Sequence, residues 1–270
     1  MRMLAAVCGL AFAIVGMVVG IRLIALARRT RGLPELLIAV ALLCGGLGVG
    51  FLRVMALHAP LSEGLVSAAA LGVHVCRGLA TGAIVVMVWR VFAPERAWAS
   101  ALAGTVLLCL ALALVGEFRE MRPPATTSHP LYWLWNALLT ISFGWGSWAS
   151  LRYYAGLRRR MRLGLADPVV ANRIFLWGFA SGCIAIQSPV VLASMVLSGE
   201  DRIAPWALVI FSALSCLASA TVWLAFFPPR SYLKRIAARA AAREGLPCRA
   251  RPLGSLSEPG LERVPDRVIF

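Results

Sequence analysis

One arginine stands where few charges are tolerated. Arg77 lies near the middle of an apolar run from Gly64 to Trp89, with His74 three residues before it and Thr81 four residues after. On an α-helix this spacing puts all three on one face. A guanidinium in such a setting offers a rigid fork of donors suited to a carboxylate or phosphate. It is also costly enough in an apolar medium to be a candidate for function. The chemistry in reach is capture of an anionic group, with His74 as a titratable neighbour. The competing reading is architectural: backbone carbonyls, Gln187 and nearby hydroxyls satisfy Arg77, and the residue pins helix packing.

Further polar side chains fall at a comparable count from the ends of their own apolar runs. They are Thr140 and Ser142 in the fifth run, Gln187 and Ser188 in the sixth, and Ser212 and Ser215 in the seventh. The ligand-binding set read from the sequence is therefore Arg77, His74, Thr81, Gln187, Ser188, Thr140 and Ser215. Pro189, next to that set, cannot donate to the carbonyl of Ala185 and predicts a kink. No Asp or Glu falls at the centre of a run. An anionic ligand is then the expected counter-charge to Arg77, and His74 is left with no carboxylate to orient it.

The same inventory argues against catalysis. Nucleophilic serine chemistry needs an oriented general base, and metal chemistry needs several converging His, Asp, Glu or Cys ligands. Of the three histidines only His74 is well inside a run, and no C-x-x-C motif occurs. No catalytic residue and no metal site is predicted, and the chain reads as a non-enzyme.

The elements that must position these side chains are membrane helices. Seven apolar segments cover most of the chain: Met3–Ala27, Leu36–Leu57, Gly64–Trp89, Ala97–Gly116, Leu131–Leu151, Ile174–Leu197 and Ile203–Phe227. At 1.5 Å per residue, roughly 20 apolar residues cross a bilayer core. Hydrophobic residues make up 60% of the chain and charged ones 14%. The fold class expected is an all-α membrane protein, a seven-transmembrane helix bundle followed by a short amphipathic cytoplasmic helix.

Charge sets the expected orientation. Of 27 Lys and Arg, twenty flank the ends reached after the first, third, fifth and seventh runs, and four flank the other ends. The positive-inside rule then puts the N-terminus outside and the C-terminus inside. The net charge of +15 is accounted for by anionic cytoplasmic headgroups, and no nucleic-acid partner is expected. Met1-Arg2 and the following apolar run look like the start of a signal peptide. The run, however, continues to Arg28-Arg29-Thr30-Arg31 with no A-x-A site before that cluster, so a retained first helix is expected.

Domain limits follow: residues 1–230 form the transmembrane domain, 231–244 a basic amphipathic surface helix, and 245–270 a disordered cytoplasmic tail rich in Pro, Arg and Gly. Four G-x-x-x-G pairs, Gly16/Gly20, Gly46/Gly50, Gly78/Gly82 and Gly178/Gly182, spread over four helices and point to packing within the bundle rather than to a dimer face. Six of the seven cysteines fall in six different runs and read as small apolar packing residues. Trp133 and Trp135 read as an aromatic belt at the outer interface.

Two loop motifs carry a resemblance. Arg29-Thr30-Arg31-Gly32-Leu33-Pro34-Glu35-Leu36 and Gly164-Leu165-Ala166-Asp167-Pro168-Val169-Val170-Ala171-Asn172-Arg173 resemble motifs of a group of bacterial seven-helix membrane proteins without an assigned function. The resemblance implies a bacterial inner-membrane location and nothing about activity. Glu35, Asp167 and Arg173 in these motifs are candidates for pinning the cytoplasmic loops. The topology also resembles that of rhodopsins, but the only lysine is Lys234, in the tail. No retinal Schiff base, and no other cofactor, is expected. Two functions remain: a sensor or ligand-binding protein working through a cytoplasmic signalling partner, or a small transporter or channel for an anionic solute. The oligomeric state stays open.

Overall fold

The computed structural model describes residues 2–52, 62–120, 129–199 and 203–243. Among these residues the chain is helical throughout, with no strand. The helices are α1 (Arg2–Thr30), α2 (Leu33–Leu43, continued by a π-helical stretch Cys44–Leu52), α3 (Glu63–Phe92), α4 (Ala97–Glu120), α5 (Pro130–Met161), α6 (Pro168–Ser198), α7 (Pro205–Phe226) and α8 (Arg230–Arg243). The expected disorder beyond Gly245 lies outside the described residues.

Five helices, α1, α3, α4, α6 and α7, are long and apolar enough to cross a bilayer. This supports a multi-pass membrane protein. The two other expected spans differ for physical reasons. α5 is 32 residues long but carries Asn136, Thr140, Ser142, Ser147 and Ser150 along its length and three arginines in its last turn. α2 keeps α-helical bonding for eleven residues only. Its continuation holds four glycines, Gly45, Gly46, Gly48 and Gly50, whose freedom lets the bonding loosen to i→i+5.

Boundaries follow local chemistry. Pro34, Pro130, Pro168 and Pro205 each stand in a first turn, where a missing N–H costs nothing. Asp167 caps α6, its Oδ1 accepting from the Val169 N–H at 2.7 Å. At the far end of α6, Gly199 takes φ +66°, the left-handed conformation that closes a helix. Arg31 also adopts positive φ (52°) in the tight α1–α2 turn, where the Gly32 N–H bonds back to Thr30 Oγ1 at 3.2 Å.

α1, α2, α3, α5, α6 and α7 form a closed ring, each touching its two neighbours, and α4 lies outside against α3 and α5. Apolar side chains gain little from leaving lipid for protein, so close backbone approach holds the ring together. A Cβ on Gly16 would press on Leu42 O, one on Gly46 on Ala13 O, and one on Gly48 would overlap Cys76. Gly78, Gly82, Gly178 and Gly182 face Trp135, Leu107, Ser150 and Ser147 in the same way. The glycines of the G-x-x-x-G pairs, Gly50 apart, thus pack helices of one chain. The α1–α7 seam closes the ring. Arg22 donates to Phe226 O at 3.2 Å, satisfying an end carbonyl of α7, and stacks 4.5 Å from the Phe227 ring. Nearer the start of α1, the Cys8 and Cys216 sulfurs lie 2.9 Å apart. α8 is tied to α6 through Tyr232 and Asn172, 3.0 Å apart.

Candidate functional site

The polar side chains of α3 point into the α3–α4–α5 junction. Arg77 Nη2 donates to Asn136 Oδ1 on α5 at 3.1 Å. The same oxygen accepts the Ser188 hydroxyl of α6 at 2.6 Å. Asn136 is held in turn by its amide, which donates to Tyr132 O at 2.7 Å. One buried amide therefore gathers three helices. The Arg77 guanidinium also lies 5.6 Å from the centre of the Trp135 ring, a cation–π distance.

One turn away, His74 Nε2 lies 3.6 Å from Glu117 Oε2 of α4, with both side chains about nine-tenths buried. This corrects the sequence reading, which ended the fourth apolar run at Gly116 and left His74 with no carboxylate to orient it. Glu117-Phe118-Arg119-Glu120 contains neither Pro nor Gly, so the helix runs on and carries the carboxylate back against α3. His74 has an acidic neighbour after all. The imidazole is flanked on its other side by Trp135, at 5.8 Å between ring centres.

Trp135 is a second correction. It is 1% exposed and part of the core rather than of an interfacial belt. Gly78 makes room for it: a Cβ there would already meet the ring at 3.5 Å.

The partners also fix the level of the site. Asn136 is six residues from the start of α5, and Ser188 ten from the end of α6. At 1.5 Å per residue these are roughly 9 and 15 Å from their helix ends. The cluster therefore sits toward the end of the bundle opposite the arginine-rich one.

The remaining predicted residues divide. Gln187 donates to Ser215 Oγ at 3.1 Å, a separate bridge between α6 and α7. Thr81 is fully buried one turn below Arg77, and Thr140 is half-buried one turn below Asn136. Ser142 and Ser212 bond to the carbonyls four residues behind them, Leu138 O and Leu208 O, which spends their hydroxyls locally. At the basic end, Asp167 is a helix cap. The Glu35 carboxylate is buried over Gly32, and Glu35 Oε2 and Arg173 Nε have no hydrogen-bond partner among the described residues. No ion pair joins Glu35, Asp167 or Arg173 there.

Asn136 and Glu117 were missing from the sequence-based set. Each lies near or just beyond the end of an apolar run, where a polar residue is cheap and draws little notice. Among the described residues no cluster of His, Cys, Asp and Glu could hold a metal ion. No protein-family model, curated protein or solved structure matches the chain.

Proposed function

We propose that the chain is a seven-span bacterial inner-membrane protein, N-terminus outside, that acts as a non-enzymatic sensor. It binds a small polar ligand at the Arg77 cluster and signals through its basic end to a cytoplasmic partner. Support for seven spans comes from α2 with its π-helical continuation and from α5, which complete the ring begun by four of the five apolar helices, α1, α3, α6 and α7. The arginine-rich ends support the orientation. The observation that carries the site is the convergence of Arg77, Asn136, Ser188, His74 and Glu117 from four helices in an otherwise apolar bundle.

Glu117 refines the ligand. With the Arg77 guanidinium one turn along α3 from His74, which the Glu117 carboxylate faces, the cluster suits a molecule that brings an anionic group to Arg77 and a donor toward Glu117. The non-enzymatic reading draws support from the serine of the cluster, Ser188, whose hydroxyl donates to Asn136 at 2.6 Å rather than to a general base.

The test is ligand-dependent thermal stabilisation, because a ligand stabilises only the state that it binds. Purified protein is screened against small amino acids and carboxylates, and Arg77→Gln is compared with the parent chain. The reading expects a compound that raises the Tm of the parent but not of a folded Arg77→Gln variant. Equal stabilisation of both would remove Arg77 from the site.

A second reading, a small transporter or channel for an anionic solute, draws on the π-helical stretch Cys44–Leu52 beside α3. Such stretches often mark functional hinges. Uptake of a labelled anion by proteoliposomes, lost on Arg77→Gln, would favour it over sensing.

A further inference from the structure

At the basic end of the bundle, where α3 turns into α4 and α5 runs out past both, an open cavity of about 260 Å³ is lined by Arg96, Arg152 and Arg160. Trp98, Trp148 and Tyr153 form its aromatic wall. No Asp or Glu lines it, and none of the three arginines forms an ion pair among the described residues. All three arginines are exposed.

The notch has a local cause. Arg152, Gly156 and Arg160 follow one another at four-residue spacing on α5, so they rise along one side of the helix. Gly156 is the missing side chain between two arginines, and open space lies where its Cβ would be. The α3–α4 turn, Ala93–Arg96, brings the third cation from across the cavity. Arg152 is positioned by the Trp148 ring, 5.3 Å from its guanidinium carbon. Trp98 leans on Trp145 at 5.9 Å, and Tyr153 on Phe92 at 5.6 Å. Trp98 and Trp148 nevertheless remain 46% and 50% exposed.

We propose that this cavity holds the phosphate of an anionic phospholipid, with its acyl chains against Trp98 and Trp148. Guanidinium forks match phosphate oxygens in pairs. Indole rings belong at the depth where headgroup meets chain, and basic pockets between helices on the cytoplasmic side are suited to such headgroups. General attraction of a basic surface to anionic lipid does not need a concavity. Here cations from two separate segments converge on one cavity, whereas Arg28, Arg29 and Arg31 at the same end do not line it. The inference is independent of the Arg77 cluster.

The experiment compares the full-length protein with two variants of equal charge change. One is Arg96→Gln/Arg152→Gln/Arg160→Gln; the other is Arg28→Gln/Arg29→Gln/Arg31→Gln. Delipidated protein in neutral detergent is titrated with phosphatidylglycerol, phosphatidylcholine or inorganic phosphate, followed by native mass spectrometry and thermal unfolding. The expected result is a saturable phosphatidylglycerol adduct with a rise in Tm, weaker for phosphatidylcholine and absent for inorganic phosphate. Its affinity should fall at least about tenfold in the pocket variant and stay near parental in the control. Equal losses in both variants would reduce the effect to general surface charge. Inorganic phosphate acting as well as the lipid would make it a soluble-anion site. No saturable lipid adduct would overturn the proposal. Unfolding of the unliganded pocket variant shows whether the fold itself is intact, and Arg160→Gln alone, farthest along α5, repeats the test at lower structural risk.

Discussion

The imidazole of His74 lies 3.6 Å from the carboxylate of Glu117 across the α3–α4 contact, both side chains largely withdrawn from the surface. This relation joins the helix outside the ring to the helix that carries Arg77. It makes the energetics of the cluster those of a coupled group rather than of a lone cation.

Coupling is measurable. Glu117→Gln and His74→Gln should each lower stability, and the double variant should lose less than the sum of the two. An interaction term on the order of 1 kcal/mol is expected from a double-mutant cycle, as for residues in direct contact. Strict additivity in chemical or thermal unfolding would mean that the pair does not interact in solution.

Asn136 serves two donors through one oxygen. Asn136→Leu removes the acceptor for both Arg77 and Ser188 and should cost about 1–3 kcal/mol through the loss of two hydrogen bonds, one of them from a charged donor. Gln187→Leu breaks one bond, to Ser215, and should cost less. The opposite ranking of the two Tm values would show that Asn136 is not the hub.

The α1–α2 seam depends on glycine. A Cβ on Gly46 would stand 2.9 Å from Ala13 O and 3.2 Å from its Cα, both rigid backbone atoms. Gly46→Val should destabilise the bundle by about 1–3 kcal/mol, the usual cost of overpacking, with oligomeric mass unchanged in size-exclusion light scattering. A loss of dimer mass with the monomer's stability intact would reassign this face to self-association.

The ring closes between the first and seventh helices, which run parallel. Cys8 and Cys216 are near enough that copper–phenanthroline oxidation should link them within one chain after only a slight approach of the sulfurs. The product should migrate faster on non-reducing gels, and Cys216→Ser should abolish the shift. Unaltered migration of the oxidised parent chain would contradict the α1–α7 seam.

Orientation has its own test. A fluorescent-protein fusion at residue 160, among the arginines of the α5–α6 connection, should be bright, and an alkaline phosphatase fusion there inactive. Active phosphatase at that site would reverse the proposed topology.

Much of this was legible in the chain because it depends on local composition. Lipid solvates apolar side chains and refuses bare peptide groups, so long apolar runs become helices whatever surrounds them. The helical class, the Asp167 cap, the first-turn prolines Pro34 and Pro168, and the polar strip of His74, Arg77 and Thr81 all belong to this kind of information. What each polar group meets depends on how helices register against one another. Only the folded bundle decided that Asn136, Glu117 and Trp135 surround the α3 strip, and that Gln187 pairs with Ser215 instead. The fourth helix ran past the Gly116 end of its apolar run, and Arg77, at the middle of its own run, met Asn136 near the start of another, so depth counted along a single run did not transfer between helices. Close approach at glycines such as Gly46 and Gly78 sets those registers, and it arises from pairs of surfaces that no single segment contains.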